Sequence, residues 1–359
     1  MTRSPAQKAQ KLSFPGVDRP PSSDSDPGRH DREAFVISII VPTRNRPVLL
    51  TRALECIQSQ TFGSFEVIVI DDGSSASTRA GYAALWEGLD DRFHLHLLGT
   101  PDGPAVGPSV SRNTGIEAAR GEILTFCDDD DFWTSNEHLA SMADVFTTDS
   151  RVDLYIANQN AVAASGVVER ADWLPALMQQ VSKRTRSHPL GHVIDLDQLI
   201  ASGGFAQLNI VALRKATATA VGGFWTRTTY EEDRDFFWRV ADAARTIFFN
   251  PAVVAQHNVP DPTRQTNLSR SVSPAERWLL SVLVSQHITM SVRSAAIRRL
   301  CQSYEGDILR HLSRYWSNEG RHELALHYAR RALAARASLK WALYTAALAG
   351  RHLMRGRTA

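Results

Sequence analysis

The chain has 359 residues, of which 43% are hydrophobic and 22% charged, as in an ordinary soluble globular protein. This composition excludes wholesale disorder, and no apolar run reaches the about 18 residues that a membrane-spanning helix needs. The N-terminus has no apolar stretch typical of a signal peptide, so we expect a cytoplasmic protein. The three cysteines are widely spaced without a CxxC pair, which argues against a disulfide framework and a structural zinc site.

The net charge of +2 conceals an asymmetry along the chain. Residues 275–359 hold 14 Lys and Arg against 5 Asp and Glu, a net charge of +9, which leaves −7 for residues 1–274. A basic region of this kind indicates either an anionic partner or a solvated helix face. We expect a peripheral contact with the inner membrane or a lipid-linked acceptor. Packing on the rest of the chain, or a homodimer contact, would explain the same residues.

The predicted elements begin after a polar leader. Residues 1–33 hold five prolines, several serines and mixed charges, and they predict disorder. The apolar β-branched run Phe35–Val41 predicts a strand that Pro42 ends. A helical pattern follows over Pro47–Gln60, and a second apolar run, Phe65–Ile70, predicts the next strand.

The same alternation continues with a predicted strand, helix and strand at His94–Leu98, Ser109–Arg120 and Ile123–Cys127. Alternating strands and helices predict an α/β fold with a mostly parallel central sheet. Polar residues follow each strand, and ligands of open α/β sheets bind at that edge, so these residues should converge on one crevice. The pattern weakens from Arg151 to Gly191, where an irregular, aromatic and basic stretch separates possible strands and suggests an acceptor-binding surface.

From Ala275 onward the sequence is helical in character, with no proline after Pro274. Tyr304–Ala335 predicts a helix-turn-helix hairpin similar to one tetratricopeptide unit. A single hairpin cannot form a solenoid, so we expect it to pack on the rest of the chain or on a partner. The expected regions are therefore a leader (1–33), an α/β domain (34–272) and a helical C-terminal region (273–359).

Two acidic motifs follow predicted strands. The alternate residues Asp128 and Asp130 of the run Asp128–Asp131 can converge on Mg²⁺ or Mn²⁺, which also takes oxygens from a bound diphosphate. The alternative is an acidic turn that caps the next helix. Asp72 either belongs to an Asx turn or accepts hydrogen bonds from a nucleobase or ribose. No GxGxxG follows the first strand, which argues against a nicotinamide or flavin enzyme.

Four motifs in this order resemble the nucleotide-sugar domain of family 2 glycosyltransferases, which have the GT-A fold. They read VPTRNRP, SQTFGSFEVIVIDDGSS, GPSVSRNTGIEAARGEILTFCDDDDFW and YEEDRDFFWRV. The resemblance covers about residues 35–260, so it identifies the region 34–272 as a GT-A domain. It implies a nucleoside-diphosphate sugar, with UDP as the expected nucleotide, Mn²⁺ or Mg²⁺, one carboxylate base and inversion of the anomeric centre.

The resemblance also implies site residues by position. Those implied for the nucleotide are Pro42 and Thr43 at the nucleoside, Asp72 at the base, Arg112 facing the nucleotide, and Asp129 at the ribose or donor sugar. Those implied for the metal are Asp128 and Asp130, with His257 as a further ligand or, alternatively, a structural histidine. The downstream loop could close over the diphosphate with Arg264 or Arg270.

The motif EEDRD supplies the implied catalytic base. An acceptor hydroxyl must lose its proton as it attacks the anomeric carbon, and by similarity Asp233 takes that proton. Glu232 and Asp235 are the neighbouring alternatives. The same carboxylates are also what the N-terminal turn of a helix favours, whatever their chemistry.

The leading interpretation is an inverting glycosyltransferase of the hexosyltransferase type, acting on a hydroxyl of a glycan, lipid-linked or other acceptor. A sugar-phosphate nucleotidyltransferase is the first alternative, but VPTRNRP lacks the glycine-rich loop expected of one. The second alternative is a catalytically silent scaffold that binds through its helical C-terminus. The presence of every acidic position of the motifs argues against it. We expect no nucleic-acid partner.

Overall fold

The computed structural model describes residues 10–11, 37–259 and 272–355. Most of the predicted leader, the start of the first predicted strand, and Arg264 and Arg270 lie outside the described residues. The chain divides into two compact units. Unit 1 comprises the residues up to Phe224 together with Ala243–Val259, and unit 2 comprises Trp225–Asp242 and the residues from Pro260 onward.

Unit 1 is built on one mixed sheet. Its strands are β1 (Gln10–Lys11), β2 (Ile37–Thr43), β3 (Phe65–Asp72), β4 (Phe93–Leu98), β5 (Ile123–Phe126), β6 (Phe132–Trp133), β7 (Val152–Val162), β8 (Val168–Arg170), β9 (His192–Ile194), β10 (Val211–Arg214) and β11 (Thr246–Asn258). Their order is β1-β4-β3-β2-β5-β10-β7-β11-β6, with β8 paired to β7 and β9 to β11. The strands β2, β3, β4, β5, β7 and β11 run in one direction, and β10 runs antiparallel between β5 and β7. The predicted mostly parallel central sheet is confirmed.

Seven helices accompany this sheet among the described residues of unit 1. They are α1 (Pro47–Gln58), α2 (Ala76–Trp86), α3 (Pro108–Ala118), α4 (His138–Thr148), α5 (Pro175–Val181), α6 (Leu196–Ala201) and α7 (Lys215–Ala220). Proline occupies the first turn of α1, α3 and α5, where its missing N–H breaks no helical hydrogen bond. The buried side of α1 has the i, i+3, i+4, i+7 spacing of an amphipathic helix and consists of Leu50, Ala53, Leu54 and Ile57.

Pro42 does not end the first strand, contrary to the sequence prediction. β2 continues through it to Thr43, which pairs with Asp71 of β3. On the other side of β2, pairing with β5 ends at Ile40, whose carbonyl accepts from the N–H of Cys127. Backbone groups alternate sides along a strand, so the nitrogen of Pro42 faces the side that β5 has already left. The missing N–H therefore breaks no sheet hydrogen bond, and β2 carries Thr43 to the edge of the sheet.

The first part of the stretch from Arg151 to Gly191, where the sequence indicates only possible strands, forms β7. β7 is an 11-residue strand between β10 and β11, and its first eight residues are buried. A strand covered on both faces shows no polar alternation, and buried Asp153 and Asn158 interrupt its apolar run. Asp153 is paired with Arg245 at 2.8 Å, and Asn158 accepts the N–H of Trp173. These partners, which the local sequence does not reveal, satisfy the buried polar side chains of the strand.

Unit 2 is helical, as the sequence predicted from Ala275 onward. It contains α8 (Glu232–Ala243), α9 (Pro274–Ser291), α10 (Ala295–Asn318), α11 (His322–Ala335) and α12 (Leu339–Arg355). α10 and α11 form the predicted helix-turn-helix, with Gly320 at φ +71° in the turn. The core shared by α9 to α12 comprises Ala275, Val282, Ile308, Leu309, Leu312, Ala325, Leu326, Ala329, Ala332, Trp341 and Leu348.

His138, the first residue of α4, is fully buried in unit 1. Its ring meets Trp133 at a centroid distance of 5.0 Å and Tyr155 at 6.2 Å. Among the described residues, neither ring nitrogen has a hydrogen-bond partner. Burial lowers the pKa of His138 to about 3. The folded protein therefore holds this imidazole neutral.

We expect His138→Phe to make the protein more resistant to acid. Between pH 6.5 and pH 3 the unfolded chain protonates His138 and the folded chain does not, so the free energy of unfolding falls as the pH falls. At pH 5 the loss attributable to His138 is about 2 kcal/mol, relative to pH 8. Chemical denaturation of both proteins at the two pH values measures it. An identical wild-type-to-variant difference at pH 5 and pH 8 would refute the assignment.

Candidate functional site

Polar side chains from three connections contact one another at the carboxyl edge of β2 and β5. The Thr43 hydroxyl donates to Asp129 Oδ2 at 2.8 Å. The guanidinium of Arg46, just before α1, lies 3.0 Å from both Asp129 Oδ1 and Asp130 Oδ2. Arg112 of α3 reaches Asp128 Oδ1 at 2.7 Å. The structure thus brings together predicted site residues, namely Thr43, Arg112 and the first three aspartates of the acidic run.

The run Asp128–Asp131 forms a turn, in which the N–H of Asp131 donates to the carbonyl of Asp128 at 3.1 Å. Alternation along an extended chain therefore cannot decide which carboxylates face a ligand. Burial decides it instead: the side chains of Asp128 and Asp130 are 34% and 35% exposed, against 7% for Asp129 and 4% for Asp131. The pair predicted to bind metal is the accessible pair.

The acidic turn carries more negative charge than its neighbours offset. Burial and Asp130 raise the pKa of Asp129 to about 7, although Arg46 and Thr43 act against the shift. Burial and Asp128 likewise raise the pKa of Asp130. A divalent cation would relieve this repulsion, and carboxylate oxygens are the ligands that Mg²⁺ and Mn²⁺ prefer.

These residues fit a shared metal site better than a complete protein cage. Within residues 10–11, 37–259 and 272–355, no group of three His, Cys, Asp or Glu side chains is arranged to hold a metal ion. Asp128 and Asp130 can supply two oxygens, so further ligands would come from a bound phosphate or from water. Mg²⁺ commonly binds in this way, through one or two carboxylates and substrate phosphates.

The fourth carboxylate, Asp131, ties the acidic turn to the end of β11. It accepts the N–H of Asn258 at 2.8 Å and contacts His257 Nδ1 at 3.0 Å. Burial raises the pKa of Asp131 to about 6, with His257 opposing the shift. Burial by itself would lower the pKa of His257, but its hydrogen bond to Asp131 and the nearby carboxylates raise it overall. The metal-ligand role of His257 stays a prediction.

Asp72, predicted to meet the nucleobase, fixes the loop that leads into α3. Its carboxylate accepts the backbone N–H groups of Val106 at 2.7 Å and Gly107 at 3.0 Å. Gly107 has φ +97°, a backbone conformation that residues with a side chain rarely adopt, and it is the N-cap of α3. Asp72 thus positions a loop close to Arg112 in sequence. Its contact with a nucleobase stays a prediction, as does the nucleoside contact of Pro42.

Sequence reasoning missed two residues of the motif VPTRNRP. Arg46 pairs with two carboxylates of the acidic turn. Asn45, at φ +55°, joins the loops after β2 and β3: its N–H donates to Ser74 Oγ, and its side-chain oxygen accepts the N–H of Ser75. A usable signal was present, because basic and amide residues directly follow a strand at the ligand-binding edge.

The predicted base, Asp233, lies in unit 2, in the first turn of α8. One carboxylate oxygen accepts the N–H of Arg234 at 2.8 Å, and the side chain is partly exposed. Its neighbour Asp235 is fully buried and bonded to Arg239 and His287. That burial makes Asp235 a poor candidate for meeting an acceptor. The role of Asp233 stays a prediction.

Comparison with known families gives the deciding match. Residues 38–199 match the model described as Glycosyl transferase family 2. This part of the chain resembles the family 2 glycosyltransferases. The matched range contains the acidic turn, Thr43, Asp72 and Arg112, and it ends before His257 and Asp233.

Two curated relatives match parts of the chain. Over 95 residues the chain is 43% identical to the GalNAc(5)-diNAcBac-PP-undecaprenol beta-1,3-glucosyltransferase of Campylobacter jejuni, covering 26% of this chain and 29% of that protein. Over 103 residues it is 31% identical to the UDP-Glc:alpha-D-GlcNAc-diphosphoundecaprenol beta-1,3-glucosyltransferase WfgD of Escherichia coli, covering 29% and 38%. The chain therefore spans well under half the length of either relative.

Solved structures of TarS from S. aureus share the fold. The crystal structure of TarS residues 1–349 has a TM-score of 0.56 and 18% identity, covering 84% of this chain and 81% of that one. The same fragment in complex with UDP gives the same values. Likeness at this identity shows the fold alone, and it confirms the predicted GT-A type fold.

We expect two neighbouring carboxylates of the acidic turn to differ in their effect on stability. Asp131→Ala removes a buried partner of His257 and Asn258 and should lower the free energy of unfolding by about 3 kcal/mol. Asp130→Ala removes a half-exposed carboxylate among like charges, so its effect should stay within about 0.5 kcal/mol. Chemical denaturation at pH 8 without metal compares them, and equal losses would show that the division into buried and accessible carboxylates is wrong.

Proposed function

We propose that this protein is an inverting glycosyltransferase that transfers a sugar from a UDP-linked donor to a hydroxyl of a lipid-linked or other glycan acceptor. The observation that carries the proposal is the acidic turn at the end of β5. Its two accessible carboxylates, Asp128 and Asp130, lie beside Arg46 and Arg112 at the ligand-binding edge of a GT-A sheet. The family 2 match and the sugar-transferring relatives support the reaction class.

In this proposal, the edge of the sheet binds the nucleotide. Pro42 and Thr43 line the nucleoside pocket, and Asp72 meets the base. Asp129, which already accepts from Thr43, lies at the ribose or donor sugar. Arg112 faces the nucleotide, where a guanidinium can bind phosphate oxygens with two parallel hydrogen bonds. The TarS fragment with UDP supports uridine as the base, through the shared fold.

Asp128 and Asp130 would hold the divalent ion, Mn²⁺ or Mg²⁺. When bound, the ion neutralises the charge that develops on the departing diphosphate. The contact between His257 Nδ1 and Asp131 supports His257 as a further ligand, because metal-binding histidines usually bond a carboxylate through their other ring nitrogen.

Asp233 acts as the general base in this proposal. Its carboxylate takes the proton of the acceptor hydroxyl while the hydroxyl oxygen bonds to the anomeric carbon and the bond to the diphosphate breaks. A positioned base of this kind typically contributes about 10²–10⁴-fold to a rate. Burial of Asp235 and partial exposure of Asp233 support this choice between the two.

The acceptor side of the proposal rests on the relatives and on the basic helices. Both relatives are named for undecaprenol-diphosphate-linked saccharides. On α12 the side chains of Leu339 and Leu343 are 79% and 64% exposed, one helical turn apart and flanked by exposed Lys340. Among the residues described, no helix is long and apolar enough to cross a membrane. We propose peripheral contact with an anionic membrane through this face.

We expect UDP to stabilise the protein only when Mn²⁺ or Mg²⁺ is present, and more than GDP or ADP does. At 100 times its Kd, the nucleotide should add about 2.7 kcal/mol to the free energy of unfolding. Asp130→Ala should abolish this gain, and Asp144→Ala, which removes an exposed carboxylate of α4, should keep it. Thermal shift with and without EDTA measures the effect.

Each outcome of this experiment bears on one part of the proposal. A UDP effect that survives EDTA would remove the metal assignment. Equal stabilisation by GDP would remove uridine. If no nucleoside diphosphate has any effect with either metal, the glycosyltransferase proposal itself is wrong.

We expect the protein to float with vesicles that contain phosphatidylglycerol and not with neutral ones. Each Lys or Arg near an anionic surface contributes about 1 kcal/mol, and salt should weaken the binding. The double change Leu339→Gln and Leu343→Gln should reduce flotation, whereas Val48→Gln, at the 80% exposed Val48 of α1, should not. If the wild-type protein ignores both vesicle types, the membrane contact is excluded.

A further inference from the structure

The residues on either side of Asp233 are held by the C-terminal helices of unit 2. Glu231, two residues before it, accepts the hydroxyl of Tyr304 on α10 at 2.6 Å. Asp235, two residues after it, is joined to His287 Nδ1 on α9 at 2.6 Å. Neither Tyr304 nor His287 belongs to the motif YEEDRDFFWRV. Both contacts come from side chains more than 50 positions further along the chain.

The Glu231 contact stabilises an unfavourable backbone conformation. Glu231 has φ +56°, in the left-handed region that non-glycine residues rarely adopt. Its carbonyl accepts the N–H of Asp235, so this residue caps α8. The guanidinium of Arg234 lies 4.5 Å from the ring centre of Tyr304 and 3.6 Å from Glu231 Oε2. Tyr304 thus contacts both Glu231, which caps α8, and Arg234, which follows Asp233.

The Asp235 contact fixes the rotation of α8. Asp235 Oδ2 accepts from Arg239 Nε at 2.9 Å, and Oδ1 accepts from His287. A carboxylate only accepts, so His287 Nδ1 is the donor. The imidazole lies flat on the indole of Trp225, with a centroid distance of 3.9 Å and an angle of 2°. The His287 ring is therefore held both by stacking on Trp225 and by its hydrogen bond to Asp235.

These anchors set the direction of Asp233. Side chains two positions apart in an α-helix are rotated by about 200° about the helix axis, so Asp233 projects nearly opposite to Asp235. Because Asp235 is completely buried, the partly exposed Asp233 is turned away from that buried side. We infer that His287 and Tyr304 are positioning residues that hold Asp233 in its catalytic orientation. This inference rests on the proposed function, in which Asp233 is the base.

Substitutions that separate ring shape from hydrogen bonding test the inference. His287→Phe keeps an aromatic ring for Trp225 and removes the donor, His287→Asn keeps a donor near the position of Nδ1, and Tyr304→Phe removes one hydroxyl. His327→Phe on α11 and Tyr344→Phe on α12 are matched controls, since their rings pack against Tyr328 and Trp341. Asp233→Asn gives the level without the base. The assay follows UDP release from UDP-glucose, UDP-galactose or UDP-N-acetylglucosamine with Mn²⁺.

We expect His287→Phe and Tyr304→Phe to lower kcat by about 100-fold, the effect of displacing a catalytic group by about 1 Å. The KM for the donor and the Kd for UDP should stay unchanged, because the residues proposed to bind the nucleotide are not changed. His287→Asn should recover most of kcat, and both controls should match wild type. Because unfolded protein also lowers the apparent kcat at constant KM, kcat is expressed per UDP-binding site. Loss of folded protein alone then leaves kcat unchanged.

The outcomes separate the inference from the proposed function. If Asp233→Asn is as active as wild type, the base assignment is wrong and the inference fails with it. If Asp233→Asn is inactive while His287→Phe and Tyr304→Phe match wild type, the positioning inference alone is overturned. Where no donor is turned over, hydrogen exchange of residues 230–236 decides it. Faster exchange in His287→Phe but not in His287→Asn supports positioning, and unchanged exchange in both contradicts it.

Discussion

Mutual repulsion among the four carboxylates of Asp128–Asp131 is the constraint on which the proposed site depends. Consecutive aspartates in a partly buried turn cannot all stay ionised unless cations or hydrogen-bond donors lie beside them. The fold supplies these from three places: Arg46 before α1, Arg112 on α3 and His257 at the end of β11. The charge requirement therefore joins segments that are more than 200 residues apart.

Burial then divides the four carboxylates into two kinds. Asp131 is buried among fixed partners, so its charge holds the end of β11 in place. Asp128 and Asp130 remain half exposed, and the raised pKa of Asp130 means that repulsion persists there. Binding a divalent ion at these two would remove repulsion that the folded chain keeps. The same electrostatic imbalance would thus favour a metal-bound nucleotide.

Much of the fold followed from local sequence. Apolar runs predicted β2, β3 and β5 to within a few residues, because strands buried on both faces are continuously hydrophobic. β4 was predicted as well, although it is only partly buried. The region of β7 indicated only possible strands, because Asp153 and Asn158 interrupt its apolar run and are buried by partners distant in sequence. The motifs predicted which carboxylates gather at the sheet edge. They could not predict the hydrogen bond that folds Asp128–Asp131 into a turn, nor the selection of Arg46 as its counter-ion, since both depend on how β2 and β5 pair.

The helical C-terminus shows a second limit of local reasoning. Sequence composition placed a boundary at residues 272–273, which separates α8 from the later helices, whereas α8 belongs to the same compact unit as α9 to α12. Truncating the chain before α9 would remove His287 and Tyr304, the side chains that bond Asp235 and Glu231. Such a truncation would therefore disturb α8 together with any membrane contact of α12. Point substitutions on exposed faces are the cleaner way to separate these roles, because they leave the anchors of α8 intact.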